Sequence, residues 1–194
     1  IRNKRVKPDQ DNMLKITTDG RKAALDMRLV DLIFGRESES KVMRCAENIA
    51  DVYYDTRDTN SIQLVFCDIS TPKEGFNLYD ELKSLLIAMG IPGNKVAFIH
   101  EAQNERQKEE LFRELRKGEK SVLIGSTFKT GHGVNIQERL VAMHHLDVPW
   151  RPADMVQREG RILRRGNKSK SVKIFRYITK GSFDAYSWQL LEIG

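Results

Sequence analysis

From Ser38 onward the apolar positions of the chain alternate between two rhythms. Val42, Cys45, Ala46, Ile49 and Tyr53 recur at three- and four-residue spacing, so the pattern predicts a helix over 40–55. Ile62–Phe66 is a short run of strand formers with Asp68 just beyond it. Leu78, Leu82, Leu85, Leu86 and Met89 mark a second helix, stopped by Gly90 and Pro92. A strand is predicted over 96–99. Asn104 followed by Gln107 starts a helix that runs to about Lys117, where Gly118 ends it. Further strands are expected at Val122–Gly125, 143–146 and 172–178. Further helices are expected at 138–141, from an Asp154 cap through Leu163, and over 183–191. Before this series lie turn signals such as Pro8-Asp9-Gln10 and Asp19-Gly20. Residues 1–39 therefore read as an arm or small subdomain with one helical stretch near 25–34, and 40–194 as the main domain.

Strands alternating with helices at this spacing define an α/β fold, a mainly parallel sheet with helices on both faces. Its crossovers are right-handed. Ligands in such sheets bind beyond the carboxyl ends of the strands. The loops that start at Asp68, His100, Ser126 and Asp147 are thus expected along one functional edge.

Composition adds exclusions. The 194 residues suit one ordinary domain with an extra arm, and 40% hydrophobic with 31% charged residues excludes bulk disorder. No run is long enough to cross a membrane, and no signal peptide is visible. The chain starts at Ile1, so it is expected to be a piece of a longer protein. Cys45 and Cys67 belong to no CxxC pair and sit in apolar patterns, which favours reduced core thiols and a cytoplasmic setting. No metal site is expected: two cysteines are too few for a cysteine-based zinc site, and His144-His145 reads as packing or surface. The net charge is +6. Between Arg151 and Lys180 ten Lys or Arg face only Asp154 and Glu159, a local net of +8 that leaves −2 for the rest. Such a segment fits a phosphate-rich partner, or simply a solvated basic surface.

Two segments carry chemistry. After the Val122–Gly125 strand come Ser126, Thr127, Phe128, Lys129, Thr130, Gly131, His132, Gly133, Val134 and Asn135. Small hydroxyl residues and close glycines let backbone amides approach phosphate oxygens, although a plain strand-to-helix turn has the same look. No GxxxxGK[ST] loop and no strand-ending Asp-Glu pair is present, so the chain should not hydrolyse ATP alone. The second segment runs from Gln157 to Asn167. On a helix, Gln157, Arg161 and Arg164 share one face. A mid-helix Gly160 suggests close backbone packing there. Paired arginines suit a dense phosphate, and one that touches a transferring γ-phosphoryl group stabilises its transition state. An exposed basic helix without a ligand is the competing description.

Together the segments resemble motifs V and VI of superfamily 2 helicases, in the Swi/Snf-like branch. Ser126, Thr127, Gly131, Gly133 and Asn135 match the first motif; Asp147, Trp150 and Pro152 follow. Gln157, Gly160, Arg161, Arg164 and Gly166 match the second, all in register, and 63–68 looks like motif IV. The wording of 146–167 with 182–189 is similar to helicase-like proteins of phages and mobile elements linked to adenine-specific DNA methylases. The resemblance implies a RecA-like helicase C-terminal lobe. Arg164 would be the arginine finger, Arg161 its companion near the γ-phosphate, and Gln157 the link from the nucleotide cleft to motif V. Gly131, Gly133 and Asn135 would form the turn that couples the cleft to the nucleic-acid track. Ser126, Thr127, Lys129 and Trp150 would face nucleic acid, though Trp150 also reads as a buried anchor beside Pro149 and Pro152. ATP with Mg2+ would be shared with an N-terminal RecA-like lobe of the same chain, and the partner would be double-stranded DNA. His132, Phe128, Lys129 and Asn167 depart from the usual pattern. The alternative function is a catalytically idle nucleic-acid-binding or docking module in a methylase–helicase fusion. A methyltransferase activity in this segment itself lacks a DPPY-like tetrad and a glycine-rich cofactor loop.

Overall fold

A computed structural model describes residues 13–35, 39–130, 136–160, 166–169 and 171–193. Five strands form one parallel sheet: β1 (Ile62–Phe66), β2 (Val96–Phe98), β3 (Val122–Gly125), β4 (Leu140–His145) and β5 (Lys173–Arg176). Their order across the sheet is β2-β3-β1-β4-β5. The helices are α1 (Met13–Leu25), α2 (Lys41–Thr56), α3 (Leu78–Ala88), α4 (Glu105–Lys117), α5 (Thr127–Thr130), α6 (Pro152–Glu159) and α7 (Phe183–Ile193). The α/β class, the parallel pairing and helices on both faces agree with the alternating pattern.

Strands β1 to β4 bury both faces, as parallel strands covered by crossover helices must. Val65, Val122 and Ile124 point into one cluster with Val42, Ile49, Tyr79 and Leu82 of α2 and α3. Leu64, Phe66 and Leu123 point the other way, into a cluster with Leu111, Phe112 and Leu115 of α4. α2 starts at Ser40, whose hydroxyl accepts from the Met43 amide; α4 starts at Asn104, whose side chain accepts from the Gln107 amide. Gly118 closes α4 at φ +78.

Several boundaries differ from expectation. The first helix spans 13–25 rather than 25–34, because docking decides it. Leu25 is buried in the α2–α3 cluster, and the Thr179 hydroxyl donates to the Ala24 carbonyl. The apolar run Val30, Leu32, Ile33 and Phe34 is exposed instead. The expected short helix at 138–141 is a 3-10 turn at Gln137–Arg139, and β4 begins at Leu140. α6 ends at Glu159, so Gly160 is its cap rather than a mid-helix residue. A Cβ there would lie 2.9 Å from the Val156 carbonyl oxygen of the same helix.

Cys45 and Cys67 are buried free thiols, and burial pushes the Cys45 thiol up to about 12. His144, also fully buried, belongs to a polar chain that crosses the sheet. Gln63 donates to the Ile49 carbonyl at 2.9 Å, and Asn48 donates to the Tyr177 hydroxyl at 3.1 Å. His144 Nε2 meets Gln63 Oε1 at 2.9 Å, and its Nδ1 meets the Tyr177 hydroxyl at 2.8 Å. This fixes a neutral imidazole that donates from Nε2 and accepts at Nδ1. No metal-binding group of His, Cys, Asp or Glu occurs among the described residues, and no helix there is long and apolar enough to cross a membrane.

Candidate functional site

β3, β1 and β4 are neighbours, and a polar residue lies two positions beyond the end of each, at the same edge: Thr127, Asp68 and Asp147. Asp68 Oδ1 accepts the Thr127 amide at 2.6 Å, and its Oδ2 accepts the Thr127 hydroxyl at 2.7 Å. Asp147 Oδ2 accepts the amides of Asp68 and Ile69 at 2.6 and 2.7 Å. The two carboxylates therefore stitch three strand ends together.

Arg158 of α6 completes the cluster. Its side chain is fully buried. Nη2 pairs with Asp68 Oδ2 at 2.7 Å and with Asp147 Oδ1 at 3.1 Å. Nη1 donates to the Asp147 carbonyl at 3.0 Å, and Nε donates to the Thr127 hydroxyl at 2.7 Å. The guanidinium also lies 5.0 Å from the centre of the Phe66 ring. Burial opposes its charge, but Asp147 and Asp68 outweigh that and raise its pKa. Burial likewise opposes ionisation of Asp68, yet Arg158 and Thr127 hold it below its usual value. Burial pushes Asp147 upward against the pull of Arg158. A buried charge set of this kind is tolerable only because nearly every polar atom has a partner.

Gly125 lets α5 sit against the strand end. A Cβ there would meet Thr130 Cγ2 at 2.5 Å and Ile99 Cγ2 at 2.9 Å. Thr130 is buried, and its hydroxyl donates to the Ser126 carbonyl. The expected open loop after β3 is thus a helical turn over 127–130.

The candidate residues are distributed as follows. Ser126 and Thr127 are buried, and the Thr127 amide and hydroxyl serve the cluster. Lys129 is exposed beside Phe128, which is 82% exposed. Gln157 is half-buried on α6. Trp150 is 57% exposed on the loop before α6 rather than a buried anchor. The Arg21 guanidinium covers its ring at 4.5 Å. Arg161, Arg164, Gly131, Gly133 and Asn135 lie outside the described residues. His100 follows the end of β2 on the same edge and packs edge-on against Tyr79 there.

Two of these features escaped the sequence reading. Arg158 counted there as one more cation of a basic surface, whereas it is sealed inside. Asp68 and Asp147 fall on the expected functional edge, but their pairing to one arginine leaves no mark in the sequence. A signal existed: Arg158 follows Met155 by three residues, the spacing of one helix face, and Met155 is buried too.

Residues 40–166 match the family described as Helicase conserved C-terminal domain. Over 84 residues the chain is 34% identical to the Defense against restriction protein B of Escherichia phage P1; that stretch is 43% of this chain and 4% of the phage protein. Among solved structures, the C-terminal part of the Fun30 ATPase domain superposes with a TM-score of 0.61 at 20% identity, over 81% of this chain and 48% of that one. Domain 2 of the DEAD-box helicase Mss116p, bound to an RNA duplex, gives 0.52 at 18% identity, over 71% and 49%. The Hef helicase domain of Pyrococcus furiosus gives 0.51 at 23%, over 78% and 28%. In each of these four the matched part is about half or less of that protein. Its fold is that of a RecA-like helicase C-terminal lobe.

Proposed function

The chain belongs to the helicase conserved C-terminal domain family, and on that premise we propose that it is the second motor lobe of a DNA-dependent ATPase of the superfamily 2 helicase type. The observation that carries this reading is Arg158 buried between Asp68, Thr127 and Asp147. It ties the three segments that resemble motifs IV, V and VI into one rigid edge. Arg158 is spent on carboxylates and has nothing left for a phosphate. Its role is positional: it fixes the helix that leads into Arg161 and Arg164.

Nucleotide with Mg2+ would sit between this lobe and an N-terminal RecA-like lobe that supplies the lysine loop and acidic box. Arg161 and Arg164 would hold the γ-phosphate, with their fixed charge stabilising the transferring group. Gln157, Gly131, Gly133 and Asn135 would pass the closure of that cleft to the nucleic-acid side. Ser126, Thr127, Lys129 and Trp150 mark that side; Thr127 would act there through its backbone position, since its hydroxyl is engaged. The partner is double-stranded DNA, as the Swi/Snf-like wording implies. Residues 1–39 would be an arm or small subdomain ahead of the 40–194 lobe. Similarity to a phage protein supports a place among the helicase-like proteins of phages and mobile elements, some linked to methylases.

The test is DNA-stimulated ATP hydrolysis by the intact two-lobe protein. Arg164→Ala is expected to remove turnover while nucleotide binding is largely kept. Wild-type turnover in that variant would end the arginine-finger assignment.

A further inference from the structure

α1 precedes the family-matched region 40–166, yet it reaches the functional edge. Arg21 Nη2 donates to the Val148 carbonyl at 2.6 Å, in the loop that follows Asp147. The same guanidinium stacks over the Trp150 ring at 4.5 Å. Behind α1 the backbone is anchored to the body through Leu25 and through the Thr179–Ala24 hydrogen bond. The contact is therefore between two fixed elements, not a loose side chain on a surface.

Between α1 and the loop lies a cleft of about 220 Å3, lined by Thr18, Arg21, Lys22, Asp68, Trp150 and Asp154. Its two carboxylates already have cations: Asp68 has Arg158, and Asp154 has Arg151 at 2.9 Å. Arg21 and Lys22 stand on the α1 side, with Lys22 3.8 Å from Asp19 at the surface. The cleft is smaller than the roughly 300–1,000 Å3 that encloses a whole small molecule. It suits one planar ring with its phosphate left at the rim. With Arg21 on the Trp150 ring and the indole still more than half exposed, the remaining aromatic surface is open to a second planar group.

We propose that α1 is part of the nucleic-acid interface, with Trp150 and Arg21 forming a stacking cleft for one unpaired nucleobase and Lys22 contacting the adjoining phosphate. The inference rests on the proposed function and deepens it. The lobe engages a locally opened strand, and residues ahead of the helicase domain contribute to the grip. Stacking on an aromatic side chain accepts any base, because every base has a π-face, and arginine adds a cation–π contribution. The site would thus be sequence-tolerant, as a tracking motor requires.

The experiment measures binding of a fluorescein-labelled DNA single strand, and of the matching duplex, to this chain at low salt by anisotropy. Trp150→Ala is expected to weaken single-strand binding about tenfold, and duplex binding less. Arg21→Ala is expected to weaken it about three- to tenfold, with Arg21→Lys intermediate because it keeps charge without the planar stack. Lys22→Ala is expected to flatten the salt dependence by about one phosphate contact. Thermal unfolding of each variant checks that these surface changes leave the fold intact. Unchanged affinity in Trp150→Ala and Arg21→Ala overturns this inference alone. Tighter binding by Arg21→Ala also overturns it, and would make α1 a cover over Trp150. A wild-type chain that binds neither probe overturns both this inference and the reading it rests on.

Discussion

Arg158 and Asp68 stand 90 residues apart in the chain and 2.7 Å apart in the fold. The pair joins the helix before the candidate arginine finger to the end of the central strand. Replacing Arg158 with Met leaves Asp147 buried without its cation. Breaking a buried pair in this way costs about 3–5 kcal/mol, so a large fall in the urea midpoint is expected. Arg158→Lys should recover only part of it, because an ammonium cannot fork to two carboxylates and a hydroxyl. A midpoint shift equivalent to less than about 1 kcal/mol in the Met variant would show that the cluster is not a structural clamp.

Thr127 is the next member to test. Thr127→Val keeps the shape but removes a hydroxyl that serves Asp68 and Arg158 together. The expected loss is about 1–3 kcal/mol, and Thr127→Ser should restore most of it. Equal stability of the Val and Ser variants would speak against the hydroxyl's part.

Gly125→Ala addresses the seat of α5. The new methyl would fall 2.5 Å from Thr130 and 2.9 Å from Ile99, both buried. Overpacking of this kind costs typically about 1–3 kcal/mol. In the intact protein ATP turnover should also fall, since α5 carries Thr127. A variant as stable as wild type would mean that α5 can shift without loss.

The fold was legible because its signals are periodic. Buried strands, amphipathic helices and their caps each leave a local pattern, and the six consecutive elements from α2 to β3 lie near their expected places. The clamp was not legible because its meaning depends on helix rotation. Gln157 and Arg158 are neighbours about 100° apart on α6, and only docking decides which of them turns inward. The arm failed for a related reason. Val30, Leu32, Ile33 and Phe34 look more helical than the segment with Gly20 and two threonines, yet Arg21 and Leu25 give that segment its tertiary contacts, which outweigh propensity.

Acid should weaken the fold through His144. Burial pushes its pKa down to about 3, while the unfolded side chain titrates near 6.5. The unfolded state therefore binds the extra proton first as pH falls. The stability from a neutral His144 is complete above about pH 6.5 and erodes downward until the folded pKa near 3 is reached. Between pH 6.5 and 5 His144 alone should account for about 2 kcal/mol. Urea midpoints across that range would show it, and His144→Gln should flatten the slope. An identical slope in the variant would assign the acid sensitivity elsewhere.

β5 lies at the outer end of the described sheet, paired only to β4 there. Its ends are Lys173 and Arg176, and both are exposed. An edge strand is a template on which another extended chain can add. A second copy that added here would bring basic side chains against basic side chains. Lys173 thus acts as a gatekeeper of that edge, whereas Arg176 is held by Glu159 at 2.9 Å, so removing the Lys173 charge would expose the lobe to sheet-extending self-association rather than to unfolding.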